Sequence, residues 1–347
     1  MARIVVVTSH PPFTAGGHLV IAEALVDALN ARNHRATLLL TPQNRFGRQG
    51  AAYLSNWLTD VGEAGGGEPV DQVISFRYPS YAVRHARHVC WLNHRMREYY
   101  DEWPRFSASL SWRNRLKEGV RRKLIHAADR YLLTRNVTRV VAQSRTIQDR
   151  LTRWGGIPSE VVHPPPPPRA YRCDGYGDEL LVASRLTPLK RIHLVLDALQ
   201  EPAASAIRCV IVGDGEEREA LAGRIDSEGL ASRVRLLGHV SDAELVDLLA
   251  TCRAVCFPAA REDYGLVTVE AFASGKPVVT CSDSGGPTEL VEDGVNGFVV
   301  DPAAPALASA MARLMDDVPL AERLGAAGRE RAASISWDRA LERLLLV

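Results

Sequence analysis

The first part of the chain alternates between apolar runs and a longer stretch with a helical period. The run from Arg3 to Thr8 is almost entirely apolar, as is typical of a strand buried in a parallel sheet. It is followed by Gly16 and Gly17, by a helix-like period, and by a second apolar run from Ala36 to Leu40. This order predicts a Rossmann-like start. The two glycines lack the GxGxxG spacing of a dehydrogenase, and they fit either a plain turn or a loop whose N–H groups approach a ligand.

Polar residues cluster directly behind a later strand. The run from Val70 to Phe76 predicts one strand, and a run that ends at Leu92 predicts the next. His94 is therefore expected at the carboxyl end of a strand, where ligands bind in open α/β sheets. A lone histidine is more often a packing or surface residue. That interpretation is weakened by three further polar side chains nearby, which are Arg97, Tyr100 and Asp101.

A run of prolines divides the chain. The segment Arg139 to Ser144 predicts the last strand of the first half, and Pro164 to Pro168 predicts a stiff polyproline II connector. A length of 347 residues favours two domains. We therefore predict a Rossmann-like domain over residues 1–165, a second one over residues 166–330, and a C-terminal helix over residues 331–347.

Two cations follow the first strand of the second half. That strand ends just before Arg185, and Lys190 lies on the same loop, which leads into a predicted helix from Ile192 to Leu199. A guanidinium can bind phosphate bidentately, so two cations at a strand-to-helix junction predict an anion site. A chance pair of surface cations is the alternative. The next glycine turn, at Gly213 and Gly215, is interpreted as structural.

Two glutamates are placed across a loop that runs into a helix. An apolar run from Arg253 to Phe257 predicts a strand, and Val267 to Ser274 predicts a helix that Gly275 ends. Glu262 then lies in the loop and Glu270 about one turn inside the helix, whose positive dipole end faces that loop. Two carboxylates that each hold a hydroxylated ring, with an anion between them, match the shape of a nucleotide sugar. A carboxylate that only favours the helix dipole is the common alternative.

Composition removes several classes of function. A net charge of +1 argues against bulk attraction to nucleic acid. No uninterrupted apolar span reaches membrane length, and the first apolar run is too short for a signal peptide. The six scattered cysteines predict reduced, buried thiols. Together these features predict a cytoplasmic protein.

The segment from residue 110 to residue 125 predicts a basic amphipathic helix. Apolar residues recur at four-residue spacing, at Trp112, Leu116, Val120 and Leu124, and many of the other positions are Arg or Lys. We expect the apolar stripe to pack on its own domain and the cations to face water. The alternative is weak contact with an anionic membrane, which would place the protein on the inner membrane face.

The segment around the two glutamates resembles a known family. Behind Glu270 come Ala-Ser-Gly-Lys-Pro-Val-Val-Thr and Ser-Gly-Gly-Pro-Thr-Glu, and the likeness continues from Val291 to Phe298. Together with Glu262, this stretch is similar to the signature of the retaining glycosyltransferases of family 4, which have the GT-B fold. The resemblance covers nearly the whole chain. It implies an α/β protein with two facing Rossmann-like domains and an interdomain cleft. The first domain would bind the acceptor and the second the nucleotide sugar, and the C-terminal helix over residues 331–347 would cross back to the first domain.

The resemblance also implies roles for individual residues. Those with a catalytic role are Glu262, His94, Arg185 and Lys190. Those that bind the donor are Gly16, Gly17, Arg185, Lys190, Val240, Asp263, Tyr264, Gly265, Leu266 and Glu270. Those on the acceptor side are Arg97, Tyr100 and Asp101. One departure is Asp263, where many members have glycine, and it changes the expected sugar pocket.

The implied donor is a nucleotide-diphosphate sugar, with no cofactor and no metal required. Arg185 and Lys190 match an Arg-x4-Lys diphosphate clamp, and no Asp-x-Asp motif for magnesium is present. The Glu-Asp-Tyr-Gly form favours GDP-mannose, with UDP- and ADP-sugars as alternatives. The acceptor would be a saccharide, a lipid-linked molecule or a small molecule that offers a hydroxyl or amine. The rival functions are a nucleotide-sugar epimerase, a pyridoxal-phosphate phosphorylase and a non-catalytic nucleotide-sugar-binding subunit.

Overall fold

The computed structural model describes residues 1–12, 16–43 and 46–346. It divides into two compact units. Unit 1 combines Met1–Pro164 with Trp337–Val347, and unit 2 is Pro165–Ser336. Each unit is an α/β layer structure with a parallel sheet.

The described part of unit 1 contains a sheet of six strands in the order β2-β1-β3-β4-β5-β6, and all neighbouring strands are parallel. The strands are β1 (Arg3–His10), β2 (Arg35–Pro42), β3 (Gln72–Ser75), β4 (His88–Leu92), β5 (Arg139–Ala142) and β6 (Glu160–Val161). Every residue of β3 and β4 is buried, because helices cover both faces of a parallel sheet. The short edge strand β6 differs from the sequence prediction, which made β5 the last strand of this half.

The α-helices of unit 1 are α1 (Gly17–Asn30), α2 (Gln49–Leu58), α3 (Trp103–Ala108), α4 (Trp112–Tyr131), α5 (Arg145–Arg153) and the C-terminal helix Trp337–Leu344. The apolar residues that give α1 its helical period are buried, and they are Ala22, Leu25 and Leu29. The C-terminal helix packs Trp337 edge-on against Trp91 of β4, with ring centroids 6.2 Å apart. Gln72 also donates a hydrogen bond of 2.7 Å to the carbonyl oxygen of Leu344.

Helix α4 corrects two expectations. Its start agrees with the predicted segment, since Ser111 is the N-cap. The helix continues beyond the predicted end at residue 125 to Tyr131, because buried polar contacts hold its last turns after the apolar stripe has ended. The expectation that the stripe packs on its own domain is wrong. Its four members are all exposed, and they are Trp112, Leu116, Val120 and Leu124.

The described residues of unit 2 form a second parallel sheet of six strands, in the order β12-β11-β10-β7-β8-β9. The strands are β7 (Glu179–Ala183), β8 (Arg208–Val212), β9 (Val234–Gly238), β10 (Ala254–Cys256), β11 (Val278–Cys281) and β12 (Gly297–Val300). The α-helices are α6 (Ile192–Gln200), α7 (Arg218–Ser227), α8 (Asp242–Thr251), α9 (Leu266–Ala273), α10 (Ala304–Asp316) and α11 (Val318–Ala333).

Successive residues of β7 point into opposite layers of unit 2. Leu180 and Val182 belong to one buried cluster, and Leu181 and Ala183 belong to the other. Both faces of the central strand are therefore covered, as the continuous apolar run predicts.

All six cysteines are free thiols, and Cys173 is the one that is not fully buried. Among the described residues, no helix combines the length and the apolarity that would let it cross a membrane.

Candidate functional site

The strand order of unit 2 reverses direction at the boundary between β7 and β10. These two strands are neighbours, with Leu180 opposite Ala254 and Leu181 opposite Val255. The chain continues from β7 to β8 on one side and from β10 to β11 on the other. Ligands of open α/β sheets bind outside the carboxyl ends of strands at such a point. The loops that leave β7 and β10 at this edge carry six of the predicted site residues, which are Arg185, Lys190, Glu262, Asp263, Tyr264 and Gly265.

Two of those residues form an ion pair. The Lys190 ammonium lies 2.5 Å from the Glu262 carboxylate, and both side chains are largely buried. The same ammonium lies 5.1 Å from the centroid of the Phe257 ring, an arrangement that suits a cation–π contact. The backbones of the two loops are also joined, because the N–H of Ala260 donates a hydrogen bond of 2.7 Å to the Leu189 carbonyl. The structure thus holds a cation and a carboxylate together at the switch point.

The backbone at Glu262 is fixed by the glycine pair that follows β11. The N–H of Glu262 donates to the Ser284 carbonyl at 2.7 Å, and the Glu262 carbonyl accepts from Gly286 at 2.9 Å. Gly285 has a φ of 78°, and a Cβ there would lie 2.6 Å from the Glu262 carbonyl oxygen. Only glycine allows this close approach, so the Ser-Gly-Gly run sets the position of the catalytic candidate.

Arg185 follows β7 directly and is exposed. Within the described ranges, no side chain pairs with its guanidinium. Its loop lies against the turn behind β8, because the Ser184 N–H donates to the Val212 carbonyl at 3.0 Å and the Leu186 N–H to the Asp214 carbonyl at 2.9 Å. A Cβ at Gly213 would lie 1.8 Å from the Ser184 carbonyl oxygen. The glycine turn behind β8 thus has the structural role that the sequence indicates, and its backbone contacts hold the loop that carries Arg185.

A third cation beside Lys190 is already neutralised. Arg191 forms a bidentate pair with Asp283, with distances of 2.7 and 2.6 Å. This residue takes the left-handed conformation, with a φ of 53°, at the start of α6. The sequence analysis did not single out Asp283, and its separation of 92 positions from Arg191 gave no local signal.

The start of α9 is built from buried backbone. Gly265 is its N-cap with a φ of 82°, and a Cβ there would lie 2.7 Å from the Pro287 ring. The Tyr264 side chain belongs to the core of unit 2, and burial raises the pKa of its hydroxyl. Asp263 and Leu266, on either side, are half-buried. At Tyr264 the backbone, rather than the ring, is available to a ligand.

Glu270 is a buried carboxylate with two partners that the sequence analysis missed. Its Oε1 accepts hydrogen bonds from the guanidinium of Arg169 and, at 3.1 Å, from the hydroxyl of Tyr171. Arg169 also pairs with Asp242 at 2.7 Å. Burial raises the pKa of Glu270 to about 7, while Arg169 and the Tyr171 hydroxyl act in the opposite direction. The only available signal for Arg169 was its place directly after the proline run.

The remaining predicted donor residue of unit 2 lies at the start of another helix. Val240 is half-buried and precedes Ser241, which is the N-cap of α8. Ser241 and Glu244 form a reciprocal capping box, in which the Ser241 N–H donates to the Glu244 carboxylate at 2.8 Å. The backbone around Val240 is therefore fixed.

The predicted residues of unit 1 also follow strand ends. This sheet reverses its order between β1 and β3. Gly16 is the extended N-cap of α1, and Gly17 is the first residue of that helix. His18, next in the helix, lies 3.2 Å from the Arg77 guanidinium, which follows β3. The glycine pair thus stands at the edge where the strand order predicts a ligand site.

Four further candidates of unit 1 line one small cavity behind β4, and they are His94, Arg97, Tyr100 and Asp101. His94 donates from Nδ1 to the Arg95 carbonyl at 2.8 Å. Arg97 pairs with Asp101 at 2.6 Å. Tyr100 is buried, and its hydroxyl donates to Asp129 at 2.6 Å, so it supports the wall of the cavity from behind.

The fold belongs to the GT-B class, in which two Rossmann-like units make up the chain. The structure is similar to that of Anabaena HepE in complex with UDP and glucose, with a TM-score of 0.70, 18% identity, and coverage of 98% of each chain. At this identity the likeness shows the fold alone.

Residues 174–331, which include the whole β7 to β10 edge, match the family model of glycosyl transferases group 1. Over 119 residues the chain is 40% identical to a D-inositol 3-phosphate glycosyltransferase of Corynebacterium diphtheriae. The aligned segment covers 34% of this chain and 28% of that protein. It is 29% identical to the alpha-D-kanosaminyltransferase of Streptomyces kanamyceticus over 210 residues, 55% of this chain and 54% of the relative. The chain thus spans about half or less of the length of these relatives.

Proposed function

We propose that the chain is a retaining glycosyltransferase that moves a hexose-type sugar from a nucleotide-diphosphate sugar to a hydroxyl or amine of an acceptor. The observation that carries this proposal is the Lys190–Glu262 pair at the carboxyl edge of β7 and β10. It lies inside the segment that matches the group 1 family model. A cation and a carboxylate in contact suit a ligand whose diphosphate and sugar hydroxyls are neighbours.

The cations take the charge that develops on the leaving group. When the bond between the anomeric carbon and the diphosphate oxygen breaks, negative charge builds on that oxygen. Arg185 and Lys190, both on the loop after β7, stabilise it, and preorganised donors of this kind lower the barrier. Glu262 holds Lys190 in place and hydrogen-bonds the sugar hydroxyls. We propose that these cations make a metal ion unnecessary.

Transfer then proceeds on one face of the sugar. The acceptor oxygen attacks the anomeric carbon from the side that the phosphate leaves, and its proton passes to the departing phosphate oxygen. This route keeps the anomeric configuration and needs no covalent nucleophile. We also propose that His94 contacts the donor sugar and that Gly16 and Gly17 approach its diphosphate through their backbone.

Glu270 and Arg169 would recognise the nucleoside. The Glu270 carboxylate accepts hydrogen bonds from Arg169 and Tyr171 on one oxygen, and its second oxygen would accept from the ribose hydroxyls. The base would meet the fixed backbone at Val240. UDP-sugars are the first donors to test, since HepE, which has the same fold, forms a complex with UDP and glucose. The GDP-mannose expectation has no support among the relatives.

A thermal-shift screen of nucleoside diphosphates and their sugars tests this proposal. A ligand that binds only the folded protein raises the melting temperature, by an amount that corresponds to about 2.7 kcal/mol at a hundredfold excess over Kd. Product analysis with the best donor then separates the functions. A glycoside of the acceptor that has the anomeric configuration of the donor supports the proposal. An epimerised sugar formed without acceptor indicates an epimerase. Binding of the donor without transfer or hydrolysis indicates a non-catalytic subunit. A pyridoxal absorbance band in the pure protein would indicate a phosphorylase.

A further inference from the structure

Helix α4 of unit 1 carries its two acidic side chains on the inside. The three buried residues on this helix are Glu118, Ile125 and Asp129, and two of them are acids. An ordinary surface helix places apolar residues at such positions and leaves its acids in water. Both acids of α4 therefore lie on its inward face.

Tyrosines satisfy both buried acids. Asp129 is fully buried and accepts hydrogen bonds from three tyrosine hydroxyls, which belong to Tyr53, Tyr81 and Tyr100. Glu118 accepts from the Tyr99 hydroxyl at 2.8 Å and also pairs with Arg121. A buried carboxylate is costly unless it is hydrogen-bonded, so these contacts fix the rotation of α4 about its axis.

That rotation leaves the apolar stripe facing water. The side chains along it are strongly exposed, with 72% for Trp112, 68% for Leu116, 56% for Val120 and 67% for Leu124. Beside them runs a groove of about 860 Å³ whose walls include Trp103 and Trp154. Contiguous exposed apolar surface of this kind marks an interaction site rather than scattered surface residues.

The charges that surround the stripe have one sign. Five exposed cations lie along α4, and they are Arg113, Arg115, Lys117, Lys123 and Arg130. The two acids of the helix are buried, so every exposed charge on α4 is positive. The whole chain has a net charge of only +1, so the positive face is a local feature. Two copies of this face would repel each other, which disfavours self-association through it.

We propose that the outward face of α4 docks on the surface of an anionic lipid bilayer. The apolar stripe would enter the boundary between headgroups and acyl chains, and the cations would bind the lipid phosphates. The helix lies in the membrane plane in this arrangement. This inference does not depend on the proposed enzymatic activity.

Co-sedimentation with lipid vesicles tests the docking face. The probes are vesicles of pure phosphatidylcholine and vesicles that contain phosphatidylglycerol as well. The wild-type chain is expected to bind the anionic vesicles and to be released by added salt, because salt screens the cations. Leu116→Glu with Leu124→Glu should weaken this binding at least tenfold. Arg113→Glu with Lys117→Glu should do the same.

The matched control is Leu54→Glu with Leu58→Glu. Both of these leucines are exposed on α2, at 57% and 67%, and lie outside the stripe. The control should bind anionic vesicles like the wild type, and all variants should melt like the wild type because no buried side chain is changed. Equal binding to both kinds of vesicle, or equal loss in the control, would overturn the proposal. The proposal would also be overturned if the wild-type chain did not bind anionic vesicles. A wild-type chain that dimerises in solution, and that the α4 substitutions make monomeric, would overturn it as well.

Discussion

The two carboxylates of the candidate site lie in different environments. Glu262 is half-buried and has Lys190 as its partner, whereas Glu270 is buried beside Arg169 and Tyr171. Glu262 holds a cation and, in our proposal, contacts the donor sugar. Glu270, in our proposal, recognises the neutral ribose ring. Their spacing of eight positions is visible in the sequence, but their partners are not.

The pH dependence of donor binding should report on Glu270. Its carboxyl has a pKa raised to about 7, so it becomes ionised as the pH rises through that value. A charged acceptor strengthens a hydrogen bond by roughly 0.5–1.5 kcal/mol. Calorimetry should therefore give a Kd for the intact nucleotide sugar about two- to tenfold lower at pH 8 than at pH 6.

Two variants control this pH effect. Glu270→Gln cannot ionise and should remove the step near pH 7. Arg169→Met removes the cation that lowers the pKa of Glu270, so the midpoint should move to higher pH. A pH profile that is identical in Glu270→Gln and the wild type would assign the step to another group.

Lys190→Ala should lower kcat by about 10²–10³, the usual loss when a group that stabilises the transition state is removed. Steady-state kinetics with a saturating donor measures this effect. The control is Arg208→Ala, which removes an exposed cation from the amino end of β8, the opposite edge of the sheet. A Lys190→Ala variant with normal melting and unchanged kcat would contradict the assigned role.

At the scale of elements, glycines that pack against carbonyls hold the loops of the site in place. Gly213 brings the turn behind β8 against the Arg185 loop, and Gly285 does the same for the Glu262 loop. Both have positive φ and no room for a Cβ. Close backbone contact at these two glycines therefore helps to fix both loops.

Gly213→Ala should destabilise the fold by at least about 2 kcal/mol, because a strained backbone and a steric clash each cost roughly 1–3 kcal/mol. Denaturant unfolding measures the loss. Gly223→Ala is the matched control, since Gly223 lies inside α7 with nothing within 4 Å of its Cβ position. It should stabilise the chain by about 0.5–1 kcal/mol. Equal stability of the two variants would show that the Gly213 turn tolerates a side chain.

Over the molecule as a whole, the sequence predicted elements that have a regular hydrophobic period. It missed contacts between residues that lie far apart along the chain. The apolar runs located strands such as β1 and β4. The short strand β6 escaped because two residues give no period. Arg169 escaped because its partner Glu270 is 101 positions away. The outward stripe of α4 was misjudged because periodicity shows that a helix has two faces, without showing which one is buried.

Calorimetric titration of the Arg185→Ala variant with the best nucleotide sugar of the thermal-shift screen tests directly whether the diphosphate is held at the carboxyl edge of β7 and β10. We predict a Kd about ten- to a hundredfold higher than that of the wild type, because a hydrogen bond to a charged group contributes roughly 1.5–3 kcal/mol. Arg208→Ala should bind like the wild type. If Arg185→Ala binds the donor as tightly as the wild type does, the diphosphate is not held at the carboxyl edge of β7 and β10.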